Sequence, residues 1–510
     1  MSSSFQPATS TSAVLADLSP QPLWHLFEQL SALPRPSKQE EAVLRWLETL
    51  ADQRGLAHLR DSAGNLIIRK AACPGREQAP GIVMQCHVDM VGQKRPASQH
   101  DFTRDPLRLR LENDWLHATD TTLGADNGLG AMAMLAVMLS EDIPHGPLEA
   151  LFTVDEEAGM GGAKGLQAGL LTGSLLLNLD TEEEGELYVG CAGGIDANIH
   201  KTLPSQAVPA GGTTYEIRIS GLRGGHSGID IHRGRGNAVR LMASLLLGIC
   251  EWADTLAPGM ADTLGVCEWH GGSLRNAIAR DSVARVVIPD THSNEFESMC
   301  QHYLTVWQQQ LQAVEPGLQL ALTATTPGTQ LTPARCLVPM LRAMLCCPHG
   351  ALRMCDDFTG VVETSNNLAS VHLEQGQLTV QCLARSTLEA GRDQACETIR
   401  CAFALAGADI TFGNAYPGWQ PAASSPLLQQ MQAIHTDLFG TPAKIQVIHA
   451  GLECGMLQAK YPHWDMISFG PTIQGAHSPD ERVHIPSVQR FWDYLLAALD
   501  RLSAPASALA

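Results

Sequence analysis

Hydrophobic positions recur every three to four residues over 22–33 and again over 40–56, where Val43, Trp46, Leu47 and Leu50 share one face. That spacing predicts two amphipathic helices at the start of the ordered chain. The texture then shifts to short β-type runs at 65–69 and 81–88, followed by an Ala-, Met- and Leu-rich helix over 127–140. The runs at 148–154 and 174–179 are mostly apolar, as strands buried on both faces are, with a Gly-rich, helix-compatible piece between them. Strands alternating with helices predict an α/β domain built on a mostly parallel sheet flanked by helices.

Pro, Ala and Gly cluster over 204–212, and the next run, 214–220, alternates as a half-buried strand does. Further alternating strands at 284–288 and 377–384, mixed with an amphipathic helix over 295–314, predict an α+β domain. Beyond 407 the α/β texture returns, with strands at 444–448 and 465–469 and a closing helix over 488–502. A chain of 510 residues exceeds what one core supports. The simplest organisation is a flexible tail over 1–17, a discontinuous α/β domain over 18–204 and 401–510, and an inserted α+β domain over 205–400.

Composition narrows the partners. With 53 Asp plus Glu against 34 Lys plus Arg, the formal charge of -19 argues against nucleic acid and anionic membrane surfaces. The 14 cysteines form no C-x-x-C pair, and the first twenty residues have neither a basic start nor an apolar core. Both point to a cytoplasmic location with free thiols. Apolar stretches such as 241–250 fall short of the roughly 20 residues a bilayer span needs.

Five short motifs carry candidate chemistry. The first, His87-Val88-Asp89, ends an apolar run, where residues two apart share a face and Asp89 can orient the His87 imidazole as a metal ligand. A chance pair at a strand end reads the same way. The second, Gly124-Ala125-Asp126-Asn127-Gly128, precedes the apolar helix, so Asp126 is either its N-cap or a carboxylate bridging two metals. In the third, Asp155-Glu156-Glu157, consecutive acids at a buried strand end demand a cation unless the turn is simply solvated. Opposite-facing neighbours on a strand would let Glu157 bind metal while Glu156 serves as general base. Asp180 ends another apolar run, and His477 lies in a Gly/Pro-bounded loop. These two would complete a pair of nitrogen- and oxygen-ligated sites, with no thiolate cage competing.

The set is stronger than its members, because four of the five motifs fall at the ends of successive strands, on the rim where parallel sheets gather ligands. Two metals about 3.5 to 4 Å apart would polarise a scissile carbonyl and supply hydroxide near neutral pH.

With these motifs in view, the sequence resembles the aminoacyl-histidine (Xaa-His, carnosinase-like) dipeptidase branch of the dizinc aminoacylase, carboxypeptidase and dipeptidase family. The likeness runs over 18–502 and takes in CAGGID at 191–196, GLRGGHSG at 221–228, LRNAIAR at 274–280, VVETSNN at 361–367, AYPGWQP at 415–421 and HAGLECG at 449–455. It implies a metallo-dipeptidase that cleaves Xaa-His and related dipeptides, β-Ala-His included, with two Zn²⁺ per subunit, or Co²⁺ or Mn²⁺ in their place. By resemblance Asp126 bridges the metals, His87 and Asp180 hold one, and Glu157 and His477 hold the other. Glu156 is then the base and Asp89 the orienter of His87.

The family's inserted domain is a lid and dimerisation domain, which implies a homodimer. The histidine of GGHSG, here His226, stabilises the developing oxyanion, while Asn276 and Arg385 match positions suited to the substrate carboxylate. Glu453 is either a further acid near the metals or structural. The GGHSG loop departs from the family by continuing as Ile229-Asp230-Ile231-His232. A dizinc N-acyl amino-acid deacylase would use the same cage and is the alternative enzyme. A silent binding protein would have lost Glu156 or a ligand, and all are present. Nucleotide-dependent and serine-hydrolase readings lack their Gly-rich loop or G-x-S-x-G elbow.

Overall fold

The two long apolar runs become neighbouring parallel strands, Ile82–His87 and Leu148–Thr153, each buried along its whole length. In this computed structural model residues 14–256, 263–326 and 328–504 are described, and the chain divides into two compact units. The first comprises 1–189, 422–446 and 456–510; the second comprises 190–421 and 447–455. Of the stretch read as a flexible tail, 1–13 lie outside the described residues. Leu15 is buried, and the Val14 N–H donates to Glu28.

An eight-stranded sheet organises the first unit, in the order Ala57–Arg60, Leu66–Lys70, Leu148–Thr153, Ile82–His87, Leu175–Asn178, Asp465–Ser468, Glu186–Cys191 and Lys444–Ile448. Its four central strands run parallel, and antiparallel strands extend both edges. The helix Ala125–Leu139 is buried from Asn127 to Met138, which explains why apolar residues cover it all round rather than as a stripe. The amphipathic helix Gln21–Ser31 packs against it through Leu23, Trp24, Phe27 and Leu30. In the helix Glu41–Gln53, Leu44 is buried with Val43 and Leu47, whereas Leu50 is only half-buried.

Antiparallel pairing dominates the second unit. Its main sheet runs Gln319–Thr325, Gly212–Ser220, Ser282–Pro289, Gly265–Gly271, Val362–Glu374, Gln377–Ser386, Gly193–Thr202 and Asp409–Tyr416. Alternation assigns the faces: Leu378, Val380, Cys382 and Ala384 join the core formed with the helices Ala238–Leu256, Ser293–Leu311, Ala334–Cys346 and Glu389–Ala404. Thr379, Gln381 and their neighbours occupy the opposite, polar face. The sequence reading drew domain boundaries at 204 and 400. The ladders instead carry Gly193–Thr202 and Asp409–Tyr416 into the second sheet, since Gly193–Thr202 pairs with both Gln377–Ser386 and Asp409–Tyr416. Strand hydrogen bonding between distant segments decides this, and local texture carries no trace of it.

Two imidazoles, His349 half-buried and His449 buried, give this unit an acid sensitivity. His349, which accepts from the Leu368 N–H, is pushed down to about 3 by burial and then by Arg240. His449 is pushed down to about 3 by burial and then by Arg385. Both stay neutral in the fold and bind a proton near 6.5 when unfolded. The unfolded state therefore takes up more protons as pH falls from about 6.5 towards 3, and stability drops through that window, by up to ~1.4 kcal/mol per pH unit for each group. Acid unfolding followed by tryptophan fluorescence is expected to show this fall, with a shallower pH dependence in His349→Gln.

Candidate metal centre

His87 is the last residue of its strand, fully buried, with its two ring nitrogens facing different partners. Nδ1 lies 3.2 Å from the Asp89 carbonyl oxygen and 3.4 Å from Asp89 Oδ1, while Nε2 lies 3.2 Å from Asp126 Oδ1 and 3.4 Å from Asp180 Oδ1. Asp89 is itself clamped, accepting from Ser37 Oγ at 2.8 Å and from the N–H groups of Glu156 and Glu157 at 3.1 Å each. One residue thus sets the His87 ring, through its carbonyl and carboxylate oxygens, and the turn that carries Glu156 and Glu157.

That turn corrects the strand argument made for the two glutamates. The strand stops at Thr153, Asp155 has φ 55°, and the Gly159 and Met160 N–H groups both donate to the Glu156 carbonyl. Glu156 and Glu157 lie together in a tight turn, so strand alternation does not set their directions. A buried Glu40 carboxylate accepts the Asp155 N–H at 3.0 Å and holds the start of the turn.

Asp126 is not the helix cap. It lies inside Ala125–Leu139 with non-helical φ/ψ, Gly124 occupies the N-cap position, and the Asp126 carboxylate oxygens face His87 and His477. Glu481 does the capping from far along the chain. Its Oε2 accepts from Leu123 N–H at 2.7 Å and Gly124 N–H at 3.0 Å, and its Oε1 from Ala125 N–H at 2.8 Å and Asp126 N–H at 3.3 Å. Relieved of that task, Asp126 turns one oxygen to His87 and the other, Oδ2, to His477 Nε2 at 3.1 Å. His477 also reaches Glu157 Oε2 at 3.0 Å. Asn127 Nδ2 donates to Asp180 and to the Leu179 carbonyl, fixing the last carboxylate of the set.

The five side chains proposed as ligands therefore converge, and atoms of His87, Asp126 and Glu157 lie within 4.8 Å of one another. The electrostatics test whether divalent ions fit. Glu481, Asp89, Asp126 and Glu157 surround the buried Arg35, which donates to the Val88, Asp89 and Gly124 carbonyls, and Asp180 and Glu182 add further negative charge beside Asp126. Burial, then Asp126 and Asp180, pushes Glu182 up to about 8. The carboxylates of Asp126 and Glu157 raise His477 to about 11. At His87 burial works downward, yet Asp180, Asp126 and Asp89 outweigh it and hold the imidazole well above its ordinary value. One Glu157 oxygen is buried with no hydrogen-bond partner. Within the chain this negative, desolvated cluster draws its positive charge from Arg35 and from protonated His87 and His477; divalent cations would take over that role by displacing the ring protons, and nitrogen and oxygen donors suit divalent Zn, Co or Mn.

Sequence reading missed Arg35, Glu481, Ser37 and Glu182. Arg35 sits between two prolines ahead of a helix, and Glu481 lies four residues past His477, but neither position announces a buried partner. Gly124 shows what the cradle requires: it has φ 65°, and a Cβ there would lie 2.4 Å from the Arg35 guanidinium.

The remaining candidates belong to the second unit. His226 lies on the short strand Gly225–His226, paired with Ala277–Ile278. Its Nδ1 accepts from the Gly228 and Ile229 N–H groups, both at 3.2 Å, so the ring proton sits on Nε2. Burial, then Arg385, lowers its pKa, which keeps the ring neutral and its Nε2–H a donor. Asn276 lines a cavity of about 610 Å³ together with His226, and its carbonyl accepts from Ser227 N–H at 2.7 Å. Arg385, also buried, donates to Tyr416 Oη at 2.6 Å and to Ser227 Oγ at 3.4 Å. Glu453 is fully buried at the start of a short helix, Glu453–Lys460.

Known proteins bear on this arrangement. The profile of peptidase family M20/M25/M40 matches residues 83–501. A cytosol non-specific dipeptidase of Escherichia coli (strain K12) is 41% identical over 490 residues, which cover 96% of this chain and 99% of that protein. The crystal structure of an aminoacylhistidine dipeptidase from Vibrio alginolyticus superposes with a TM-score of 0.88 at 42% identity, covering 96% of this chain and 98% of that one. A tripeptidase from Staphylococcus aureus shares the fold at a TM-score of 0.54 and 16% identity, over 95% and 99% of the two chains. With a family profile matched from the first central strand to the closing helix, and a relative 41% identical along nearly its whole length, the chain is a member of peptidase family M20/M25/M40.

Proposed function

We propose that this protein is a metal-dependent dipeptidase that hydrolyses Xaa-His and related dipeptides, β-Ala-His among them. The observation that carries the reading is the Asp126 carboxylate, one oxygen directed at His87 and the other at His477, inside a cluster whose negative charge calls for cations. Asp126 would bridge two ions, His87 and Asp180 holding one and Glu157 and His477 the other. Two Zn²⁺ suit these donors, with Co²⁺ or Mn²⁺ as substitutes. Bound there, such a pair would supply Lewis acidity to the scissile carbonyl and acidify a water molecule.

The protein's own groups do the rest. Glu156 takes the proton from the attacking water and delivers it to the departing amine, as general base and then general acid. Asp89 fixes the tautomer of His87 and, through the two N–H groups it accepts, the position of the Glu156 turn. His226, neutral with its proton on Nε2, donates to the developing oxyanion, where an aimed hydrogen bond contributes most. Asn276 and the guanidinium of Arg385, braced by Tyr416, bind the dipeptide's carboxylate. The inserted domain acts as lid and as the surface through which two copies pair into a homodimer.

Among the described residues no helix is long and apolar enough to cross a membrane. We infer a cytoplasmic location from the free cysteines and from the name of the Escherichia coli relative.

Metal analysis paired with an assay tests the proposal. Purified protein is expected to hold about two divalent ions per chain, to release histidine from β-Ala-His and other Xaa-His dipeptides, to lose at least 99% of that activity on chelation, and to regain it with Zn²⁺, Co²⁺ or Mn²⁺. Undiminished cleavage by fully stripped protein would refute it. Release of acetate from N-acetyl amino acids in place of histidine would instead make the protein a deacylase.

A further inference from the structure

The polar face of the second unit's sheet carries a second group of metal-ligating side chains, which the proposed reaction does not use. Strand alternation puts it there: Trp269 is fully buried and Val371 and Leu373 are buried, so His270 and His372 point to the other side, where both are exposed. The two residues are direct cross-strand partners between Gly265–Gly271 and Val362–Glu374. Their Nδ1 atoms lie 2.8 Å apart, and the ring planes are inclined at 61°.

We propose that His270 and His372 form a two-imidazole site for a late first-row divalent cation, Cu²⁺ above all, separate from the carboxylate cage of the first unit. For metal–nitrogen bonds of about 2.0 Å, two ligands at a right angle stand about 2.8 Å apart, and tetrahedral ligands about 3.3 Å. The observed separation is that of neighbouring ligands in a square-planar ion, the geometry Cu²⁺ and Ni²⁺ favour. Each neutral imidazole offers a lone pair at Nδ1 once its proton resides on Nε2, so binding needs only a tautomer exchange at the ring that now donates the hydrogen bond.

Glu374 supports that tautomer. Its Oε2 lies 3.6 Å from His372 Nε2, behind the ring as seen from Nδ1, where a carboxylate raises the basicity of a metal-bound imidazole. The sheet ladder on either side already fixes both backbones, so little conformational freedom remains to be lost on binding. Solvent completes the coordination, since both rings are open to it. The position has a further consequence, because His270 lines the same cavity as His226 and Asn276. A cation held there adds positive charge at the rim of that cavity without entering the cage.

Zinc-loaded enzyme, freed of excess metal and titrated with Cu²⁺ under electron paramagnetic resonance, tests the site directly. One Cu²⁺ per chain is expected to bind with superhyperfine splitting from two equatorial nitrogens. His270→Gln and His372→Gln should each weaken that binding at least tenfold and leave one-nitrogen splitting, and the double variant should abolish it. Glu374→Gln should weaken it by about tenfold. His25→Gln, which removes a lone exposed histidine of the first unit, should leave it unchanged. Because the replaced side chains are exposed, circular dichroism melts of the variants should match the parent. A double variant that binds Cu²⁺ with the parent's stoichiometry and spectrum, or a parent that binds none beyond the cage, would overturn the proposal.

Discussion

Glu156→Gln is expected to lower kcat about 10²- to 10⁴-fold while the protein still binds about two metal ions per chain, because a positioned general base contributes on that scale. The separation of the two effects follows from the geometry. Glu156 enters the turn through its backbone, its N–H on Asp89 and its carbonyl receiving Gly159 and Met160, so the amide side chain leaves these bonds intact. KM should move little, since substrate would still meet the same cations and the same carboxylate-binding groups. Metal content by mass spectrometry and steady-state kinetics on β-Ala-His read the two quantities independently. Near-parental kcat would remove Glu156 from the chemistry, whereas loss of metal would make it a ligand.

The second large effect is expected at a residue that touches no substrate. Glu481 gathers four backbone N–H groups at the start of Ala125–Leu139, at 2.7 to 3.3 Å, and is 2% exposed. Glu481→Gln keeps the shape but turns an amino group towards two of those donors, leaving buried N–H groups unsatisfied. The expected destabilisation is about 2 to 4 kcal/mol, at ~1 to 3 kcal/mol per orphaned group with partial relaxation. Asp126 belongs to the same helix start, so metal affinity should fall about 10- to 100-fold, as when other supporting partners of metal ligands are removed. A purely structural role would shift the melting temperature alone. The positioning role also shifts the metal dissociation constant measured well below that temperature, and an unchanged constant would exclude it.

How far this arrangement could be read in advance depended on how local each signal was. His87, Asp126, Glu157 and Asp180 follow apolar runs or precede an apolar helix, and the parallel sheet brings such ends to one rim. Period and position therefore announced them without any knowledge of contacts. The roles of neighbouring groups were less legible. Asp126 looked like a cap because caps are recognised by local sequence, yet the cap is Glu481, 355 residues away from the Asp126 N–H it accepts. Glu156 and Glu157 looked like strand residues because the apolar run continues to Val154, whereas the strand ends at Thr153 and the chain turns at Asp155. Arg35 was invisible for a related reason: a buried guanidinium depends on the carbonyls that converge on it, and these come from residues 88, 89 and 124. The course of Gly193–Thr202 into the second sheet likewise depended on partners more than 150 residues distant.

The distance along the chain between Glu481 and the helix it caps also bears on how the protein is made. A ribosome delivers Asp89, Asp126, Glu157 and Asp180 well before it delivers His477 and Glu481. Until that last stretch emerges, the nascent chain carries four acids without the second imidazole and a helix whose leading amides have no acceptor. Only the half of the cluster that needs His477 waits for the closing stage of synthesis, since His87, Asp126 and Asp180 are already in the chain.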